Sequence, residues 1–479
     1  MASEIRVNKI INRSGLSTVT FSDTGAIVSG IVTANNFSGN VTGNVTGNVT
    51  GAVTGSGANL TSIPAGQLTG TVADARLTTV SSSKLSGALP ALDGSALTGI
   101  NTAFGSGTSV NTSGIITATA FVSDTPLSNR NIIVNGGCIV AQRGTSSTST
   151  GYGSVDRMQM VTANTDQLAF AQKQTSDGPD GFSKCWEFDV TTIENAVDAD
   201  EIIYMRYLVE AQDLRPLYNA NGTGKNFTLS FYVKAAQTGT YNIGIHKSDG
   251  GTRFITNTYT ISAANTWQRV VWNITGDTGT TGMAFDNGQG FQISFMLAAG
   301  TNYTSGGVQS SWGGFSNSLM AGGHAVNVVS STDNYWRITG IQLEIGSVAT
   351  PFEHRKFGEE LSLCQRYCYD HLYPNANQYA SIMLGTYYMS SRIYGSFRFP
   401  VTMRTAPTMV CTDSADAFNC YRNGGVDFVN EFHIDSSNNV GPNGAEILND
   451  TDASGTAGDG VFIRRGSNST TTFRFEAEL

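Results

Sequence analysis

Residues 40–51 repeat the tetrapeptide Asn-Val-Thr-Gly three times, and Ala52-Val53-Thr54-Gly55 adds a variant copy. A four-residue period is twice the two-residue period of a β-strand, so equivalent side chains return to the same face. In extended form Val41, Val45, Val49 and Val53 share one face with Gly43, Gly47, Gly51 and Gly55, while Asn40, Thr42, Asn44, Thr46 and Asn48 line the other. A face alternating valine with glycine is too thin to bury a core within one chain. It suffices when identical chains wind together, the four valines meeting at an axis and the glycines letting backbones approach. The repeat therefore predicts an intertwined, multi-chain β-shaft.

Such a thread uses little of a 479-residue chain, which has room for about three domains at roughly 150 residues each. Charged residues are 14 % of the total, against about 25 % in ordinary globular proteins, and 55 residues are glycine. Hydrophobic residues still make up 39 %, which is not the composition of a disordered chain. A formal net charge of −9 argues against electrostatic binding to nucleic acid or to anionic membranes. No uninterrupted apolar run reaches the roughly 18 residues of a spanning helix, so no membrane insertion is expected. Met1-Ala2-Ser3-Glu4-Ile5-Arg6 lacks an apolar run behind a basic start, and no signal peptide is expected. The cysteines, Cys138, Cys185, Cys364, Cys368, Cys411 and Cys420, are scattered rather than framed for disulfides, consistent with synthesis in a reducing cytoplasm.

The texture of the chain divides it into five parts. Residues 1–38 read as short strands, and 39–126 as the Gly/Thr/Asn/Val-rich shaft. Residues 127–355 carry many short alternating strands separated by Gly/Asn/Thr turns, among them 227–234, 241–246, 267–274, 291–297 and 335–344. That pattern predicts an antiparallel, jelly-roll-like sandwich. Residues 356–374 hold a helix over 357–372, with Leu361, Cys364, Cys368 and Leu372 on one face and Pro374 ending it. Residues 375–479 read as a further β tip domain, with strands near 383–389, 393–399, 407–411 and 472–475. The expected fold class is all-β throughout.

Several stretches resemble bacteriophage tail fibres. The opening of the third part, NRNIIVNGGCIVAQRGT (129–145), and its close, ITGIQLEIGSVATPFEHR (338–355) with GEELSLCQRYCYD (358–370), are similar to a domain of such fibres. SEIRVNKIINRSGLSTVTFSDTGAIVSGIVTA (3–34) and the repeat after it resemble structural proteins of phages infecting marine cyanobacteria, and FRFEAEL (473–479) is similar to fibre ends. The resemblance implies an elongated homotrimeric fibre located in the virion. Its N-terminal element would attach to phage tail or baseplate proteins, and its outer domains would meet host surface polysaccharide or lipopolysaccharide. A purely architectural fibre or connector is the alternative reading.

Catalytic chemistry has little support. The densest acidic cluster, Glu194, Asp198, Asp200 and Glu201, could serve a polysaccharide depolymerase only if a second carboxylate faced it about 5–9 Å away. It reads more simply as a solvated loop. The five histidines follow no nucleophile motif. No enzyme activity and no cofactor are expected. Asp450-Thr451-Asp452-Ala453-Ser454-Gly455 begins like a calcium loop, with Asp459 as a further ligand, but Val461 stands where the bidentate Glu belongs. An ordinary turn is the simpler reading. Sugar binding asks for flat aromatic faces and planar polar groups held with little rotamer entropy. Trp312 and Phe315, set among glycines, are one candidate pair; Tyr387, Tyr388, Arg392, Tyr394, Tyr421 and Arg422 form the other group. Burial in a sheet core or between chains is the competing fate of each.

Overall fold

A computed structural model of the chain describes residues 128–279, 282–372, 380–435, 440–467 and 471–479, three strands before them, and isolated positions 31, 42 and 46. It divides into a unit of residues 1–114 and a unit of residues 115–479. In the first, β1 (Lys9–Ile11), β2 (Thr18–Ser22) and β3 (Gly25–Ser29) form an antiparallel meander. Val41, Val45, Val49 and Val53 lie outside the described residues.

Alternation builds the sandwich of the second unit. Its strands are β4 (Ser146–Ser147), β5 (Met158–Ala163), β6 (Ala169–Thr175), β7 (Cys185–Thr192), β8 (Ile202–Glu210) and β9 (Phe227–Ala235). They continue with β10 (Gly239–Lys247), β11 (Arg253–Ile261), β12 (Gln268–Ile274), β13 (Gln289–Ala299), β14 (Gly313–Gly314) and β15 (Tyr335–Ile345). One six-stranded sheet runs β14-β11-β10-β13-β8-β5, the other β12-β9-β15-β7-β6-β4, with all pairs antiparallel. Every second residue points between the sheets: Met205, Tyr207 and Val209 from β8, Phe291, Ile293, Phe295 and Leu297 from β13, Leu229, Phe231 and Val233 from β9. Those positions are the reason strands could be read from sequence at all. Between β13 and β14 stands a one-turn helix, α1 (Thr301–Thr304).

The chain enters and leaves the sandwich at one place. Asn131 N–H donates to Glu353 Oε2 at 2.9 Å and Ile132 N–H to Leu343 O at 2.9 Å. Asn131 Nδ2 donates to Ile341 O at 3.0 Å, and Leu343 N–H returns a bond to Asn131 Oδ1 at 3.1 Å. The Arg355 guanidinium closes the clasp on the carbonyls of Asn131 and Ile133.

The helix α2 (Phe357–Gln365) is shorter than its apolar spacing predicts. Cys364 packs with Val134 and Val140, but Cys368–Asp370 is a strand, β16, paired with the last strand of the chain. Leu372 joins the core of the tip instead of continuing the helix face. Strand pairing supplies the backbone of Cys368–Asp370 with partners that a further helical turn would have supplied internally, and the side chains suit either outcome.

The tip contains β17 (Ser381–Met389), β18 (Arg392–Arg398), β19 (Thr408–Cys411), β20 (Phe418–Arg422), β21 (Gly425–Val429) and β22 (His433–Ile434). It ends with β23 (Val440–Gly441), β24 (Gly444–Asn449), β25 (Gly460–Arg465) and β26 (Phe473–Glu476). Its large sheet runs β21-β20-β25-β17-β18-β24-β22 with β23 also on β24, and a small sheet runs β16-β26-β19. Phe397, Phe418, Phe473 and Phe475 fill the space between.

Tip and sandwich meet across buried charge. Arg143 pairs with Glu476 and Glu478, both at 3.0 Å, and Arg157 pairs with Glu478 while lying over the Tyr367 ring at 3.6 Å. Arg404 donates to the carbonyls of Ala477 at 2.7 Å and Glu478 at 2.6 Å. Glu210, fully buried, takes Arg366 Nε at 2.9 Å and the Tyr367 hydroxyl at 2.7 Å.

One prediction concerns acid. Burial pushes the His324 imidazole down to about 4, against backbone groups that favour its charged form. Its Nδ1 accepts the Asn242 N–H at 3.2 Å. An unfolded histidine titrates near ~6.5, so in the window between these values the unfolded chain takes the proton first. Stability is therefore expected to fall by up to about 3 kcal/mol as pH drops through that window. Burial also lowers His246 and His371, which adds in the same sense. Urea unfolding between pH 7 and 4 measures the fall, and His324→Gln should flatten it.

Candidate functional site: an aromatic face on the tip sheet

Strands β17, β18, β20 and β25 each send one set of side chains inward, such as Tyr387, Ile393, Cys420 and Ile463. The other set stands outward, and it is aromatic. The ladder aligns Val426, Tyr421, Phe462 and Leu384 in one row across four strands. Next to it, Tyr394 faces Thr386, and the Tyr388 ring meets the Tyr394 ring edge-on at 5.6 Å. Leu384 is 71 % exposed, Tyr388 63 % and Phe428 52 %. Arg464 stands over both Phe462 (4.5 Å) and Tyr421 (5.1 Å), which holds its planar guanidinium among the rings. Between Leu384, Thr386, Tyr394, Ser396 and Glu446 lies a shallow depression of about 380 Å³.

Three of the tip residues singled out in the sequence, Tyr388, Tyr394 and Tyr421, thus share this face. Tyr387 and Arg422 do not. Adjacent strand residues point to opposite sides, so Tyr387 and Tyr388 cannot both face solvent. Tyr387 is fully buried and donates its hydroxyl to Asp427 Oδ2 at 2.8 Å; Arg422 lies over the Tyr387 ring at 5.8 Å. Burial, with the Asp427 carboxylate beside it, pushes the Tyr387 phenol well up. Arg392 pairs with Asp450 at 3.2 Å, and His433 also approaches that carboxylate, at 3.4 Å.

The acids of the calcium-like segment serve protein donors. Asp452 accepts from Asn449 Nδ2 at 2.7 Å and from the Asn430 N–H at 2.9 Å, while the Asp459 carbonyl accepts the Tyr387 N–H at 2.9 Å. Among the described residues no group of three or more His, Cys, Asp or Glu side chains is placed to hold a metal ion. The Glu194 cluster is likewise engaged locally. Glu194 Oε2 accepts the N–H groups of Asp166, Gln167 and Leu168 at 3.0–3.2 Å, and Glu201 Oε2 accepts that of Asp198 at 2.9 Å.

In the sandwich, Trp312 and Phe315 part company. The Trp312 ring packs on Phe291 at 6.0 Å and its Nε1 donates to Thr275 O at 2.8 Å, so it anchors the loop. Phe315, 37 % exposed, lies on His246 (4.9 Å) and Phe254 (5.4 Å). It borders a polar row that the sequence reading missed. Arg206 donates to Gln159 Oε1 and, at 3.3 Å, to Gln292 Oε1, and Gln292 Nε2 donates to Ser294 Oγ at 3.0 Å. The signal was there in the alternation: these residues occupy the outward positions of β5, β8 and β13.

No protein-family model and no curated protein matches the chain. Among solved structures it is similar to the enzymatically active domain of tailspike protein 4 of bacteriophage CBA120, at 14 % identity and a TM-score of 0.26, over 45 % of this chain and 21 % of that one. It is also similar to a family 11 carbohydrate-binding module from Clostridium thermocellum in complex with a β-1,3-1,4-mixed-linked tetrasaccharide. That match has 12 % identity and a TM-score of 0.22, over 43 % and 98 % of the two chains. A xylan-binding domain from Paenibacillus barcinonensis matches at 8 % identity and a TM-score of 0.21, over 44 % and 99 %.

Proposed function

We propose that the chain is a non-enzymatic virion fibre protein, homotrimeric, that attaches through residues 1–38 to phage tail or baseplate proteins and binds host surface polysaccharide or lipopolysaccharide through its β-domains. The observation that carries the glycan reading is the outward tip face, where Tyr388, Tyr394, Tyr421 and Phe462 present ring surface beside Arg464, Thr386 and Ser396. Rings cover the apolar side of a pyranose, and planar or hydroxyl groups between them pair with its hydroxyls. Single sites of this kind are weak. Three linked copies raise the avidity by orders of magnitude. The exposure of Leu384 and Phe428 favours a second reading, in which the same face is covered by another chain and the fibre is purely architectural.

The test is binding of the purified chain to host cells and to their extracted lipopolysaccharide, with its mass taken from light scattering. Replacing Tyr388 and Tyr394 together with alanine is expected to weaken binding at least tenfold, about 1.4 kcal/mol in all, while leaving the mass unchanged. If the mass falls to that of one chain, the face is a chain-to-chain contact and the architectural reading takes its place.

A further inference from the structure

A pocket of about 190 Å³ opens on the sandwich between the loop after β6 and the segment that follows β15, and none of its residues belongs to the tip sheet. Its wall is aromatic. Phe182 meets Phe352 at 5.0 Å and His354 at 5.0 Å, and Phe352 meets His354 at 4.8 Å. Gly340, at a φ of +63°, lets this wall settle: a Cβ there would stand 2.7 Å from Phe182 and 2.9 Å from the Tyr232 ring behind it.

The floor is a carboxylate. Glu360 is 3 % exposed and lines the pocket. Asn135 N–H donates to its Oε1 at 2.5 Å and Arg355 Nη1 to the same oxygen at 3.3 Å. Among the described residues nothing donates to Oε2. That oxygen is not sealed from water, and a hydroxyl entering the pocket can take water's place as its donor. Ser183 adds a hydroxyl at the rim.

Charge narrows the ligand. The Arg355 guanidinium beside Glu360 cancels its charge locally, and the rest of that guanidinium is spent on the carbonyls of Ile133 and Asn131. A cation would gain little from such a pair, and an anion would face the carboxylate. The volume holds about six waters at ~30 Å³ each, which is one six-membered polyol ring and not an oligosaccharide. Hydroxyls to donate to Oε2, with a C–H surface to lie on aromatic rings, describe a neutral hexose. We propose that this pocket binds a single neutral hexopyranose unit, with Glu360 Oε2 accepting from a ring hydroxyl and Phe182, Phe352 and His354 covering its apolar face. The proposal rests on this pocket's own residues and not on the tip face.

Saturation-transfer NMR on the full chain tests it, with methyl glycosides of glucose, galactose, mannose and N-acetylglucosamine as probes and choline as the cationic comparison. The measurement is made with Tyr388 and Tyr394 both replaced by alanine, so that loss of tip binding and loss of this site are distinguishable. At least one glycoside is expected to show transfer. Glu360→Gln keeps an oxygen for Asn135 and Arg355 but puts a donor where Oε2 stood, and should weaken that binding more than tenfold. His354→Ala, at an exposed position, should weaken it severalfold without altering the fold, and so decides the matter even if Glu360→Gln unfolds. Absence of transfer from all four glycosides overturns the proposal, as does unchanged affinity in His354→Ala or preferential binding of choline.

Discussion

Deleting residues 477–479 is expected to lower the unfolding free energy by about 3–5 kcal/mol, the loss typical of breaking a buried ion pair from one side. Glu478 is the shared partner of Arg143 and Arg157, whose side chains are 3 % and 1 % exposed. Without it Arg157 keeps its bond to the Leu208 carbonyl, at 2.6 Å, and its place over the Tyr367 ring but no carboxylate, and Arg143 keeps Glu476. The deletion also takes away two of the three carbonyls that Arg404 holds, leaving that of Asn287, and the bond from Ala477 N–H to Tyr367 O at 2.7 Å. A buried guanidinium stripped of its carboxylate is the dominant loss, since little water reaches it. Urea unfolding of the truncated and full chains gives the difference directly. Glu478→Gln retains the hydrogen-bonding oxygen and should cost markedly less than the deletion. Equal stability of truncated and full chains would show that Glu478 does not hold tip and sandwich together.

Trp336→Ala is expected to destabilise the sandwich by about 3–5 kcal/mol. The residue is fully buried near the start of β15, edge-on to Trp186 at 6.2 Å and tilted against Phe295 of the facing sheet at 5.8 Å. Its neighbours sit on paired strands that cannot collapse inward without breaking ladder bonds, so most of the void would remain. Trp336→Phe leaves a smaller void and should lose less. Thermal and urea unfolding of both variants, followed by near-ultraviolet circular dichroism, check the order.

The strands of the sandwich were legible because each alternates between one packed face and one wet face, as in Phe227–Ala235 and Gly239–Lys247. Their order within the two sheets was not, since register is settled between residues far apart in sequence. The helix was over-read for a related reason. Cys364 and Cys368 stand four apart, which suits a helix, yet pairing with β26 drew the second into a strand. In the tip, the clustering of tyrosines was visible, but which ones face outward depended on strand phase, so Tyr387 was misplaced beside Tyr388. FRFEAEL stood out in the sequence, but what its acidic residues pair with was not readable there. The arginines that its last glutamate meets lie 321 and 335 residues upstream. The polar row of Gln159, Arg206 and Gln292 belongs to three separate strands and becomes a row only on folding.

The clasp at Asn131 and Arg355 has a mechanical consequence. Pull on the chain at residue 128 while its far end is held through the tip, and the load crosses from Asn131 directly to Glu353 and Arg355. The more than two hundred residues between them are bypassed, wired in parallel rather than in series. Several hydrogen bonds, three of them to Ile341 and Leu343 of β15, must shear together before the strands ahead of β15 feel tension. Tension on such a chain passes around the strands ahead of β15, which stay unloaded until the clasp gives.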